Sequence, residues 1–175
     1  MSRCEALAAE FERVSAELVD YVRGLDRSQW LTRGVNSPIL QVGDEDENRP
    51  VGTIAHHVAS AYLRSSTNLR LMAEGQPVSR PEPGSAARHA AENAEPDQAD
   101  TIRLLEERAA QVTSVIRGLT DDELDRETVT FMGPTTVGTF IERAVIFHPV
   151  WHLSSIRAAL EPGVKAAQQA DGPRR

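Results

Sequence analysis

The sequence predicts an all-α fold, a four-helix bundle whose helices are joined by long connections. Three observations predict it. Ala, Leu, Glu and Arg are frequent while aromatic residues make up only 5% of the chain, and unbranched side chains lose little rotamer freedom in a helix. Apolar residues recur at spacings of three and four along several stretches, the period of a helix with one buried face. Proline and glycine gather in two long stretches between them, where helices cannot continue.

The first helix is expected from about Arg3 to Gly24, because Leu7, Phe11, Val14, Leu18 and Tyr21 form one apolar stripe. Gly24 suits the left-handed turn that often ends a helix. A long loop then runs from Leu31 to Pro50, with Gly34, Pro38, Gly43 and an acidic run from Asp44 to Glu47. Such a run reads as a solvated loop, since its spacing is not that of a calcium loop. Pro50 is well placed in the first turn of a second helix that continues to Gly75.

Gln76 to Asp97 holds four prolines and a glycine and reads as a second connection, with a short helical turn at Ala86 to Ala94. The third helix, from about Gln98 to Gly118, has the clearest core face: Ile102, Leu105, Ala109, Val112, Ile116 and Leu119. Thr120 and Glu123 have the spacing of a capping box, so a short helical turn should follow. Glu127 to Phe131 has weak strand propensity but is too short to support a sheet. The fourth helix runs from near Thr136 to Leu160, stopped by Glu161, Pro162 and Gly163.

A faint internal repeat crosses this pattern. Val51-Gly52-Thr53 opens the second helix and Val137-Gly138-Thr139 the fourth, while Gly24-Leu25 and Gly118-Leu119 close the first and third. Matched helix pairs would suit a bundle with approximate twofold symmetry.

A chain of 175 residues with 40% hydrophobic residues can bury one real core. We expect one bundle domain over 1–160 and a flexible tail over 161–175. The net charge of -7 and a pI near 5.2 offer no basic stripe for a nucleic acid. Cys4 is the single cysteine, which excludes an internal disulfide and a cysteine-rich zinc site. No apolar run has the length of a membrane span, and the acidic amphipathic start is not that of a signal peptide. The expected location is the cytoplasm, with no membrane partner.

The placement of the five histidines is the main functional signal. His148 and His152 lie four apart on the fourth helix and share the inward stripe of Ile141, Val145 and Ile156, so adjacent turns carry both imidazoles toward one point. His56 and His57 are neighbours, and only one can face the core. His57 shares a stripe with Ile54, Val58 and Ala61, whereas His56 falls with Thr53 and Ser60 on a more polar side. His57 is therefore the better third ligand, and His89, in the Pro/Gly-rich connection, is expected to be exposed. A single inward histidine is usually a hydrogen-bonded core residue. Three of them each need partners for two ring nitrogens, and one metal ion would satisfy all three.

Pro149 stands between the pair, where a metalloprotease H-E-x-x-H would carry its glutamate base, so that activity is excluded. Inside a regular helix this proline costs about 3 kcal/mol and removes the donor for the Val145 carbonyl. A kink or local bulge is expected at His148.

In three segments the chain resembles the DinB/YfiT-like superfamily: RPVGTIAHHVAS at 49–60, ENAEPDQAD at 92–100 and TVGTFIERAVIFHPVWHLSSIRAAL at 136–160. The resemblance implies a four-helix bundle, often dimeric, with one divalent metal held by His57, His148 and His152. It also implies a metal-dependent transferase or isomerase acting on a small electrophile with a low-molecular-weight thiol, such as mycothiol or bacillithiol, as co-substrate. Pro149 departs from the family pattern, in which that position often carries a polar helix former.

Three imidazoles suit zinc, nickel, iron, manganese or copper and leave a tetrahedral ion one open position. That position suits thiolate activation. Tyr62, Asn93 and Arg143 are candidate substrate-binding groups, the last because its guanidinium can hold a carboxylate. Trp151 is about 100° from the inward face and is expected to pack against a neighbouring helix or a partner subunit. Two rival readings remain at this stage. One is a metal-binding or stress-associated bundle without catalysis; the other is a dimerisation module whose histidines satisfy one another.

Overall fold

A computed structural model describes residues 2–36, 39, 47–79, 81–82 and 84–161. The tail beyond 161 and the residues Asp44 to Asp46 of the acidic run lie outside the described residues. Four long helical runs form the bundle: α1 (Arg3–Arg23), α3 (Val51–Ala73), α5 (Gln98–Gly118) and a composite last helix. That last run comprises α7 (Val137–Phe140), a π-helical segment (Ile141–Ile146) and α8 (Phe147–Leu160). Shorter helices α2 (Arg27–Leu31), α4 (Ser85–Glu92) and α6 (Asp121–Leu124) sit in the connections.

Both α5 and the last helix pack against α1 and α3, so among successive long helices α3 and α5 are close neighbours around the bundle, whereas α5 and the last helix are not. The stripes read from the sequence do the packing. Phe11 and Leu18 from α1, Ile54, Tyr62 and Leu69 from α3, Leu105 and Ile116 from α5, and Ile141 and Ile156 from the last helix are all fully buried. Such burial contributes about 1.5–3 kcal/mol per large side chain. Phe11 and Tyr62 meet edge to face across the core, centroids 5.1 Å apart, and the Tyr62 hydroxyl donates to Ser15 Oγ at 3.0 Å.

The internal repeat is physical. Asp26 and Gln29 form a capping box on α2, and Thr120 and Glu123 form one on α6. Each short helix then delivers a buried apolar residue, Trp30 or Leu124, against the glycine near the start of the next long helix. A Cβ on Gly52 would lie 2.4 Å from the Trp30 indole, and one on Gly138 would lie 3.4 Å from the Leu124 carbonyl.

One local expectation is corrected. The segment read as too short for a sheet pairs after all: β1 (Glu127–Thr130) and β2 (Gly133–Thr136) make an antiparallel hairpin, with Thr130 opposite Gly133. The partner strand is Gly-Pro-Thr-Thr, whose first two residues disguise it as a turn. Gly133 at φ 94° closes the hairpin, and the Val129 carbonyl accepts from Val78 N–H at 3.0 Å, tying it to the chain after α3. The connection between α1 and α3 also carries α2, five residues long, which ends at Leu31 where the expected loop begins.

The bulge expected from Pro149 is present, ending two residues before His148. The six residues from Ile141 to Ile146 are wound as a π-helix. Such a widened turn accommodates a proline, whose missing N–H would leave the carbonyl four residues earlier without its helical donor.

Candidate metal centre

His57 comes from α3 and His148 and His152 from α8, one stretch from each half of the chain. One nitrogen from each ring lies within 4.8 Å of the other two, a spacing at which the three could hold a metal ion. The Nε2 atoms of His148 and His152 are 3.2 Å apart. Two nitrogens bound to one tetrahedral ion at about 2.0–2.1 Å stand about 3.3 Å apart, so the pair needs almost no rearrangement. His57 faces them with ring centroids 5.5 Å from His148 and 5.1 Å from His152.

A residue that sequence reasoning missed supports this triad. Glu47 is 1% exposed, and its Oε1 lies 3.3 Å from His152 Nδ1 and 3.1 Å from Arg49 Nη2. A carboxylate on Nδ1 favours the tautomer with the proton there, leaving the Nε2 lone pair to face the other rings. The acidic run ending at Glu47 was expected to be solvated; its last residue is instead inside the protein.

The local chain explains how Glu47 gets there. Arg33 and Pro50 form an antiparallel bridge, Gly34 N–H donates to the Arg49 carbonyl, and Val51 N–H donates to the Thr32 carbonyl. This short pairing lies directly on α3. A Cβ on Gly34 would come 2.7 Å from the Glu47 carbonyl oxygen as well as 2.4 Å from Ile54 Cδ1, so only glycine permits the approach. Asn36 Oδ1 accepts from Glu47 N–H at 3.2 Å and completes the anchor.

The electrostatics keep His57 and His148 in their ligand form. Burial pushes His57 well below the ordinary histidine range, and the charges of His152, His148, Arg49 and His89 push the same way. Burial also lowers His148 strongly, helped by His152, Arg64 and Arg49. For Glu47, burial alone would raise the carboxyl, but the hydrogen bond and charge of His152, with the charge of Arg49, outweigh it and lower the net value.

Trp151 is corrected. Its indole stacks on the His152 ring, centroids 4.6 Å apart and planes 27° apart, and is 8% exposed. It walls the triad. His89 is also corrected: it is half-buried, with Nε2 2.9 Å from His56 Nδ1 and its ring 5.5 Å from that of His57. Burial, followed by His56, Arg49 and Arg64, pushes His89 down to about 4. All five histidines therefore belong to one cluster.

The other candidates lie elsewhere. Tyr62 is in the core against Phe11 and Ser15. Arg143 is exposed on the π segment. Asn93 touches the cluster only through backbone, its side-chain amide donating to the His89 carbonyl at 3.0 Å.

The family model of the DinB superfamily matches residues 10–156, which include every histidine and Glu47. The chain belongs to the DinB superfamily. This DinB-superfamily chain also has the fold of a solved structure, YfiT from Bacillus subtilis, described as a probable metal-dependent hydrolase with an unusual four-helix bundle topology. The TM-score is 0.69 at 20% identity, over 95% of this chain and 90% of that one. No curated protein matches this DinB-superfamily sequence. Among the described residues no helix is long and apolar enough to cross a membrane.

Proposed function

We propose that the chain binds one divalent metal ion through His57, His148 and His152 and uses it to activate a low-molecular-weight thiol for attack on a small electrophile. The observation that carries the reading is the convergence of three imidazole nitrogens, one ring of which is backed by a buried carboxylate. A divalent ion with three protein ligands keeps an open coordination position and supplies the Lewis acidity that lowers the pKa of a thiol or water drawn to it.

The protein's own residues have distinct parts in this reading. The π segment and Pro149 set the angle at which α8 presents His148 and His152. Glu47 holds the His152 ring by its far nitrogen, and Arg49 neutralises that carboxylate. Trp151 covers the His152 face and keeps water from that side. Arg64, whose charge reaches His148, adds positive charge to the surroundings, which favours an anionic co-substrate such as a thiol bearing a carboxylate. In this setting Glu47 is committed to His152 and Arg49, so it is not itself free to serve as a hydrolytic base.

Metal-loaded protein should consume 1-chloro-2,4-dinitrobenzene or a maleate-type electrophile only when a thiol such as mycothiol, bacillithiol or cysteine is present, and His57→Ala should abolish the reaction. Protein that neither binds nor consumes any of these thiols would overturn the proposal. Thiol-independent cleavage of an ester panel would favour hydrolysis, the activity described as probable for YfiT.

A further inference from the structure

Three of the five histidines are accounted for by the triad, and two are left over. His56 and His89 come from different helices, α3 and α4, and nothing in the proposed chemistry needs them. Yet His56 Nδ1 and His89 Nε2 point at each other across 2.9 Å, and their rings stack at 28° with centroids 5.1 Å apart. Within the triad, His148 and His152 stand in the same relation, nitrogen to nitrogen at 3.2 Å. Ser60, one turn beyond His56, adds an oxygen 3.4 Å from His89 Nε2.

We propose that His56 and His89 form a second cation site beside the triad, taking a divalent transition metal with a preference for imidazole, such as zinc, nickel or copper. The consecutive histidines of α3 then serve two ions, His57 turned to one and His56, about 100° around the helix, to the other. Bringing the two nitrogens from 2.9 Å to the roughly 3.3 Å of a shared tetrahedral ion requires α4 to yield by a few tenths of an ångström. That helix can yield, since none of its residues is fully buried. Two protein nitrogens leave the remaining positions to water, to Ser60 Oγ or to a heteroatom of a bound substrate.

The second site is the weaker one. It has two nitrogen ligands where the triad has three, and while neither His89 Nδ1 nor His152 Nδ1 makes a well-formed hydrogen bond, the latter has the Glu47 carboxylate 3.3 Å away. Loss of such a supporting partner typically lowers metal affinity by about 10–100-fold.

The test is calorimetric titration of the full-length, metal-stripped, untagged chain with zinc and, separately, copper. Two equivalents per chain are expected, the second at least about 10-fold weaker than the first. His89→Gln and His56→Asn should each remove the weaker step and leave the tight one, while His57→Ala should remove the tight step and keep the weaker. Copper bound to the His57→Ala/His148→Ala double variant, which leaves no histidine pair in the triad, should show hyperfine coupling to two nitrogens, from His56 and His89. Saturation at one equivalent, or a weak step that survives both His89→Gln and His56→Asn, would overturn the second site while leaving the triad untouched. Loss of the tight step alone would count instead against the proposed function.

Discussion

The two halves of the chain begin alike and end differently. Each has a long helix, a short capping-boxed helix that delivers one apolar residue, and a second long helix opening with Val-Gly-Thr. In the first half α3 continues as a regular helix for 23 residues and gives the triad one histidine, together with the preceding loop's Glu47 and Arg49. In the second half the corresponding run is interrupted by six residues of π-helix ahead of Pro149 and gives two histidines on adjacent turns. The difference teaches a division of labour: one half converges two ligands by deforming its helix, the other completes and braces the set from a straight one.

Acid should act on that convergence most strongly. Both halves bury imidazoles whose native pKa values are depressed, chiefly by desolvation. Below the unfolded value of about 6.5 the unfolded chain takes protons that native His57 and His148 refuse. Stability is therefore fully present above that pH and is lost as pH falls, by about 1.4 kcal/mol per unit for each ring. The lowered Glu47 carboxyl works in the same direction below about 4.3. Urea unfolding of the metal-stripped chain at pH 7.5 and 5.5 measures this, and equal stabilities would contradict the assigned burial.

Replacing Glu47 sharpens the comparison, because it removes the brace of one half from a ligand of the other. Glu47→Gln should weaken metal binding by about 10–100-fold while the helical content stays unchanged. An affinity equal to that of the parent protein would show that His152 needs no orienting partner.

The paired glycines give the smallest effect and the cleanest contrast. Gly52→Ala places a methyl against the rigid Trp30 indole and should cost about 1–3 kcal/mol. Gly138→Ala meets the Leu124 carbonyl only at 3.4 Å, so the helix-propensity gain of up to about 1 kcal/mol should make it neutral or stabilising. Thermal unfolding of the two variants compares them directly, and equal shifts would break the argument from close approach.

Much of this architecture was legible because it is local. The three-and-four spacing placed α1, α3 and α5 with ends within two residues of those observed, and the same periodicity turned His57, His148 and His152 inward. Pro149 announced the irregular turn, since a missing donor must be accommodated nearby. What escaped was set by contacts between distant segments. Glu47 sits in an acidic run that reads as solvated, and only the bridge from Arg33 to Pro50 carries it inside. His89 belongs to a helix flanked by prolines, and its burial depends on docking against His56 and His57. Trp151 is a whole residue away from the inward stripe, yet its large ring folds back over its neighbour, which a count of 100° per residue does not reveal. The hairpin was hidden because its second strand begins with glycine and proline.

Metal retention tests the central claim most directly. Elemental analysis of the untagged full-length chain after dialysis should find one tightly held divalent ion per molecule, and none in either His57→Ala or His148→Ala, with circular dichroism showing both variants still helical. Retention of the ion by His57→Ala, or failure of the parent chain to take up zinc, nickel or manganese when these are supplied, would contradict a centre built jointly by the two halves.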